Sequence, residues 1–202
     1  MTALDAYLSS LANGFRSYPG ALCKGNVLSE QLEWIEQAGA HLDPRLEEPL
    51  RSARPFGRPM EWVPEVLINT LSLNARLGYA SDDAWGTALY DRQREVYQRP
   101  LYRALMMVMS PTLMTMAASD RWGAYRKGTS LAVNRWSKEA GRRSTIGTLT
   151  YPDGLYTPIL LSGLAETLRS AIDAAGAEGS TVEYVVAESS PGCARYRMRY
   201  RS

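Results

Sequence analysis

Histidine and cysteine are almost missing from this sequence. Its 202 residues hold one His, His41, and two Cys, Cys23 and Cys193. A Ser-His-Asp triad has only His41 to run through, and three residues cannot supply a four-ligand Cys/His zinc site. Lysine is scarce as well. Lys24, Lys127 and Lys138 are three of 23 basic residues, so the other twenty are Arg. Long apolar runs are absent. The longest stretch, Ala104 to Met109, falls far short of the roughly 18–20 residues of a membrane span. The N-terminus has no basic segment followed by an apolar one, so secretion is not expected and a cytoplasmic location is. The sequence has no Walker A pattern, no G-x-G-x-x-G, no G-x-S-x-G and no H-E-x-x-H.

What is present is ordinary globular material. Hydrophobic residues make up 45% of the chain and the formal net charge is +2. That composition supports a sizeable core in a single domain, 1–202. A near-balanced charge does not point to nucleic acid as a partner. The abundance of Arg over Lys fits a compositional bias, or Arg recruited for bidentate anion contacts.

Apolar periodicity divides the chain into three parts. Residues 1–27 read as an N-terminal extension with a turn at Tyr18-Pro19-Gly20. Residues 28–140 read as helical. Leu28, Leu32, Ile35 and Ala38 form one face, with Gly39 as a stop. Asp43-Pro44 starts a helix, and residues 49–60 read as mostly irregular. Trp62 to Leu77 is a further helix, and Ser81 caps another to about Gln98. An apolar helix is expected over 101–109, restarting at Ser110-Pro111. A last one is capped at Ser119-Asp120 and runs towards Trp136, with Gly128 a possible interruption. Residues 141–202 change character. Thr145 to Tyr151 is a strand, Thr157-Pro158 opens a helix to Gly176, and Ser180–Glu188 and Cys193–Arg201 form an antiparallel hairpin. The expected fold class is α+β: a helical bundle followed by a strand–helix–strand–strand unit with a small antiparallel sheet. No internal repeat is apparent.

Two groups of residues stand out. In the last strand Arg195, Arg197, Arg199 and Arg201 share one face, and Ala194, Tyr196, Met198 and Tyr200 share the other. The Arg face is either a solvated sheet surface with acidic cross-strand partners such as Glu183 or a surface for an anion or a partner protein. The second group is Met and aromatic. Met106, Met107, Met109, Met114 and Met116 fall within eleven residues, flanked by Trp85, Tyr90, Trp122, Tyr125 and Trp136. Such stripes serve as ordinary core, as a dimer face, or as the wall of an apolar cavity. The cavity reading names Trp85, Met109, Met114, Trp122, Tyr125 and Trp136 as ligand-binding. His41 reads as a surface residue beside a helix start, and Cys23 as a thiol without an activating base. Glu47-Glu48 and Asp82-Asp83 are explained by helix N-termini.

The order of landmarks resembles a family of similarly sized proteins abundant in myxobacteria, a domain of unknown function. Those landmarks are Ala38-Gly-Ala-His-Leu-Asp-Pro-Arg-Leu46, Trp62-Val-Pro64, Ser110-Pro111, Ser162-Gly163-Leu164, Ala174-Ala-Gly-Ala177 and Tyr196-Arg-Met-Arg-Tyr200. Helices followed by strand–helix–strand–strand is also similar to the layout of the four-vinyl-reductase domain and its relatives, the haem nitric-oxide-binding domains and TRAPP-type trafficking subunits. That resemblance implies a frequently dimeric α+β domain holding an apolar ligand, a haem or a lipid among its helices. Haem sensors of that kind carry a proximal His and a Tyr-x-Ser-x-Arg motif. This chain lacks the motif and has only His41, so the implied ligand is held without haem, metal or other cofactor.

Three functions follow as expectations. The first is a small-molecule-binding or sensory module for an apolar ligand, which requires a cavity of some hundreds of cubic ångströms. The second is a cofactor-independent isomerase or cyclase, with Asp120, Tyr125 and Arg126 as its candidate catalytic residues. The third is an interaction or scaffold protein, a homodimer assembling through the Met/aromatic face or the Arg strand.

Overall fold

The computed structural model describes residues 1–53, 61–100, 109–139 and 141–201. The expected helix over 101–109, with Met106 and Met107, lies outside them but for its last residue. So does most of the irregular stretch. Among the described residues are seven α-helices and two antiparallel sheets, an α+β architecture.

The first helix, α1 (Ala3–Ser10), is fixed by a capping box. The Thr2 hydroxyl accepts from Asp5 N–H, and Asp5 accepts in return from Thr2 N–H. Each bond satisfies a donor that the helix start cannot. Leu4 and Tyr7 are buried, and Tyr7 Oη donates to Leu155 O at 3.0 Å. The N-terminal segment is therefore part of the core and not an appendage to it.

Strand β1 (Leu22–Lys24) runs directly into α2 (Gly25–Gln37), and β2 (Trp62–Pro64) into α4 (Glu65–Arg76). Between them lies the short α3 (Glu47–Ala53). The two strands pair with Cys23 opposite Val63. Gly25 N–H donates to Glu61 O and Glu65 N–H donates to Ala21 O, both at 2.9 Å. These bonds are equivalent about a local two-fold through the Cys23–Val63 pair, and α2 packs against α4. Aligning Cys23 with Val63 over 22–38 matches no identical residue. The repeat expressed in the backbone is thus invisible to a search of the sequence. The ammonium groups of Lys24 and Lys127 lie 4.1 and 4.2 Å from the centre of the Trp62 ring, on the outside of this small sheet.

Helix α4 is buried almost all round, as a central helix must be. Its polar residues are matched inside the fold. Thr70 Oγ1 donates to Val66 O, Asn69 Nδ2 donates to Leu155 O, and Asn74 bridges His41 O and Asp43 N–H. Helix α5 (Asp82–Gln98) starts at Ser81, whose hydroxyl accepts from Ala84 N–H, and α6 (Pro111–Tyr125) starts at Ser110.

The expected helix from Ser119 to Trp136 is not there. Helix α6 passes through Ser119-Asp120 and ends at Tyr125. Three short strands follow: β3 (Arg126–Lys127), β4 (Ser130–Val133) and β5 (Ser137–Glu139). Gly128 sits between the first two at φ 72°, where a Cβ would lie 2.4 Å from Gly20 O. A left-handed backbone against a neighbouring carbonyl admits only glycine and turns the chain from β3 towards β4, the helix having already ended at Tyr125 with Arg126 extended.

Strand β6 (Arg142–Thr150), α7 (Pro158–Ala174), β7 (Glu178–Tyr184) and β8 (Cys193–Arg201) complete the chain. The large sheet has the order β4-β6-β8-β7, with β5 also on β6. In β8 the period of two is kept. Ala194, Tyr196, Met198 and Tyr200 are buried, while Arg199 and Arg201 are exposed and Arg195 and Arg197 half-buried. Helix α7 covers the inner face through Leu160, Leu161, Ala165 and Ile172. Strand β3 joins β1 in the small sheet, so α6 is tied at its C-terminal end to the strand–helix pair.

Candidate functional site

Between α2, α4, α5, α6 and α7, above the inner face of the large sheet, is a cavity of about 400 Å³. Its apolar wall comes from every one of these elements. Trp34 stands on α2, Ile68 on α4, Trp85 and Leu89 on α5, Trp122 on α6 and Leu164 on α7. The sheet contributes Leu131 and Met198. Trp34 and Trp85 stack with ring centres 6.2 Å apart and 15° between planes. The close approach of α5 to α7 rests on Gly163, where an added Cβ would lie 2.5 Å from Trp85 Cη2 and 2.8 Å from Leu89 Cδ1.

A polar cluster adjoins this wall. Arg126 is the first residue of β3 and lines the cavity. Its Nη1 donates to Glu65 Oε1, and Tyr156 Oη donates to the same oxygen at 2.9 Å. The Glu65 side chain is 1% exposed and that of Arg126 is 21% exposed. The guanidinium also lies over the Trp122 ring, 4.7 Å from its centre. Burial pulls the Arg126 pKa down, but the Glu65 carboxylate outweighs it, and the guanidinium is held above its ordinary value. Burial, with the Glu65 charge added, pushes the Tyr156 hydroxyl well above its ordinary value. Cys23, fully buried beside them, is pushed up to about 12 by burial, against the opposing charge of Arg126. A thiol so protonated is a poor nucleophile. Both cysteines are free. No group of His, Cys, Asp and Glu suited to a metal ion occurs among the described residues.

Four tryptophans differ in how their indole N–H groups are used. The indole N–H of Trp34 donates to Tyr79 Oη, that of Trp122 to Thr129 Oγ1 and that of Trp136 to Thr115 Oγ1. Trp85 is 2% exposed, and its Nε1 has no acceptor among the described residues. Asn26 Oδ1, on another cavity residue, is likewise buried and unpaired.

Of the residues expected to bind a ligand, Trp85, Met114, Trp122 and Tyr125 line the cavity. Met109 and Trp136 do not. Met109 packs in a satellite cluster around Met114 and Ala175. Trp136 meets Tyr200 edge-on at 4.9 Å. Among the candidate catalytic residues, Tyr125 and Arg126 line the cavity, whereas Asp120 is exposed on α6 and does not. Arg195, Arg197, Arg199 and Arg201 alternate with Met198, which lines the cavity, so they stand on the outer face of the sheet. Arg197 pairs there with Glu183 at 3.8 Å and Glu188 at 2.5 Å, and Arg195 donates to Thr148 Oγ1. His41 is exposed, and its carbonyl is held by Asn74.

Glu65 and Tyr156 were not anticipated from sequence. The signal for Glu65 was present: it is the one acid in the apolar run from Val63 to Ile68. Tyr156 carried no comparable mark. No family model, curated protein or solved structure matches the chain.

Proposed function

We propose that this chain is a non-catalytic module that binds or senses an apolar small molecule in the helical cavity, without metal or haem. The observation that carries the reading is the cavity itself, about 400 Å³ walled by aromatic and aliphatic side chains. Pockets for small ligands occupy about 300–1,000 Å³ and combine such walls with a few polar groups. A core with no ligand to hold would close around its side chains at crystal-like density. The resemblance of the sequence layout to four-vinyl-reductase-like domains, helices before an antiparallel sheet, supports the same reading by analogy alone. It goes with a cytoplasmic protein, in keeping with two free cysteines. It also goes with a homodimer, in keeping with Leu113 and Met116 of α6, which are 54% and 57% exposed.

The test is native mass spectrometry of protein purified from its own host. A non-covalent adduct is expected, lost on denaturation and absent from Ala118→Trp, which fills the cavity from α6. Bare protein in both samples would sink the reading, and the same spectrum reports the oligomeric state. A second reading, a cofactor-independent isomerase or cyclase, is favoured by the Glu65–Arg126–Tyr156 cluster at the cavity wall. It requires the recovered adduct to be consumed on incubation with fresh protein.

A further inference from the structure

One guanidinium on the cavity wall has no counter-charge. The cavity side of α6 carries Ala118, Arg121, Trp122 and Tyr125, at the three- and four-residue spacing of a single helix face. Arg121 is half-buried in that stripe. Its one hydrogen bond or ion pair among the described residues runs from Nη2 to Met109 Sδ at 4.0 Å, and a thioether sulfur is a weak acceptor. Residues 54–60 and 101–108, which lie outside the described ones, contain no Asp or Glu.

The acids of the wall do not serve it. The lining includes three basic residues, Arg92, Arg121 and Arg126, and two acidic ones, Glu30 and Glu65, which leaves one positive charge in excess. Glu65 is taken by Arg126. The Glu30 carboxyl is raised by burial and lowered by the charges of Arg92 and Arg99. Arg92 itself donates only to neutral oxygens, Gln37 Oε1 at 2.9 Å and the Glu30 carbonyl. Met109 and Tyr97 both pack against Met114 and Ala175. Arg121, in reaching Met109, therefore points towards the C-terminal half of α5, which also carries Arg92. The N-terminal half of α5 carries Trp85 and Leu89, closed against Gly163. The cavity is thus apolar at one end and cationic at the other.

A ligand that fills this space displaces water from around Arg121. A neutral one leaves the guanidinium desolvated and unmatched. A carboxylate replaces the lost water with a charge-assisted pair, in the planar fork geometry the two groups share. Resting on the binding reading above, we propose that the ligand is an apolar molecule ending in a single carboxylate, and that Arg121 holds the carboxylate. Arg121 is then the residue that determines specificity for the acid, while Trp34, Trp85 and Leu164 supply affinity for the apolar body.

Three probes with one body separate these roles: 2-naphthoate, methyl 2-naphthoate and 2-naphthylmethylammonium. Each is titrated into the full chain by isothermal calorimetry. The naphthoate is expected to bind about tenfold more tightly than the ester, the discrimination of a hydrogen bond to a charged group, and the ammonium compound most weakly. Arg121→Gln removes the charge and should abolish the preference while leaving the ester affinity within about twofold. Arg121→Lys keeps the charge without the fork and should retain part of the preference. Asp120→Asn, at the neighbouring position but exposed and outside the lining, should leave the preference standing. Equal affinity for naphthoate and ester in the unaltered protein would overturn the proposal and leave the binding reading in place. So would tightest binding of the ammonium compound, or a preference that persists in Arg121→Gln. Failure of all three probes to bind would overturn both. The naphthoate-to-ester ratio in the unaltered chain tests the charge of the ligand even if no Arg121 variant folds.

Discussion

Glu65 is a buried acid that gathers two donors from distant parts of the chain. It stands at the first position of α4, where the helix dipole favours a negative charge, and it faces Arg126 from 61 positions away. A buried ion pair is weak evidence of net stability, because both ions lose their water, but removing one partner strands the other. Glu65→Ala leaves the Arg126 guanidinium without its carboxylate and Tyr156 without its acceptor. The expected loss is about 3–5 kcal/mol, measured as a shift in urea midpoint. Glu65→Gln keeps an acceptor for both donors and should lose less. Equal losses in the two variants would show that the charge, and not the acceptor, is what the site needs, and a loss below about 1 kcal/mol in Glu65→Ala would show that the cluster adds little to stability. In the sequence Glu65 could be singled out as a lone acid among apolar residues, but its partner could not. Arg126 lay in a stretch read as helix, and nothing local marks which Arg among twenty will pair with a buried acid.

At the scale of elements, the α5–α7 contact is set by an absence. Gly163 lies inside α7, where glycine costs about 1 kcal/mol relative to alanine. By propensity alone, Gly163→Ala should stabilise the protein. Its Cβ would meet Trp85 Cη2 at 2.5 Å and Leu89 Cδ1 at 2.8 Å, and overpacking of this kind costs about 1–3 kcal/mol. Clash outweighs propensity, so the melting temperature should fall and the emission of Trp85 should change with it. A rise in melting temperature would contradict the packing seen here. Helix starts at Ser81 and Ser110 and the alternation of β8 were legible because each is decided within a few residues, by a cap or by a period of two. The strands β3, β4 and β5 were not. They are short, and their partners lie far off: Arg126 pairs with Cys23, and Leu131 with Leu149. Gly128 marked the turn after β3, but nothing local marked the end of the helix at Tyr125.

At the scale of the whole molecule, the N-terminal helix belongs to the core. Leu4, Tyr7 and Leu11 are buried there, and Tyr7 Oη reaches Leu155 across 148 positions. Burial of a large apolar side chain contributes about 1.5–3 kcal/mol, so three of them make up a large share of the stability of a domain this size. Removing residues 1–11 should lower the melting temperature steeply and broaden the transition, read by circular dichroism. An unchanged melt would return the segment to the status of an extension. The local two-fold about Cys23 and Val63 works at this scale too. It sets α2 beside α4 and so places Trp34 and Asn69 in one cavity wall.

The sequence by itself determined what the chemistry is not. One His and two Cys excluded a zinc site of the usual kind, and the periods of 3.6 and 2.0 determined an α+β chain with most of its helices and its final hairpin. Those properties are local or compositional, so they survive without a fold. Tertiary structure decided the rest. It made the N-terminus core, converted 126–139 from helix to strand, and sent Met109 and Trp136 away from the cavity while bringing Glu65, Arg126 and Tyr156 together beside it. Each of these depends on pairing between residues distant in the chain, where burial and hydrogen bonding outweigh intrinsic preference. The scarcity of His and Cys restricted the chemistry, and the cavity of about 400 Å³ on which the binding proposal rests is created only by folding.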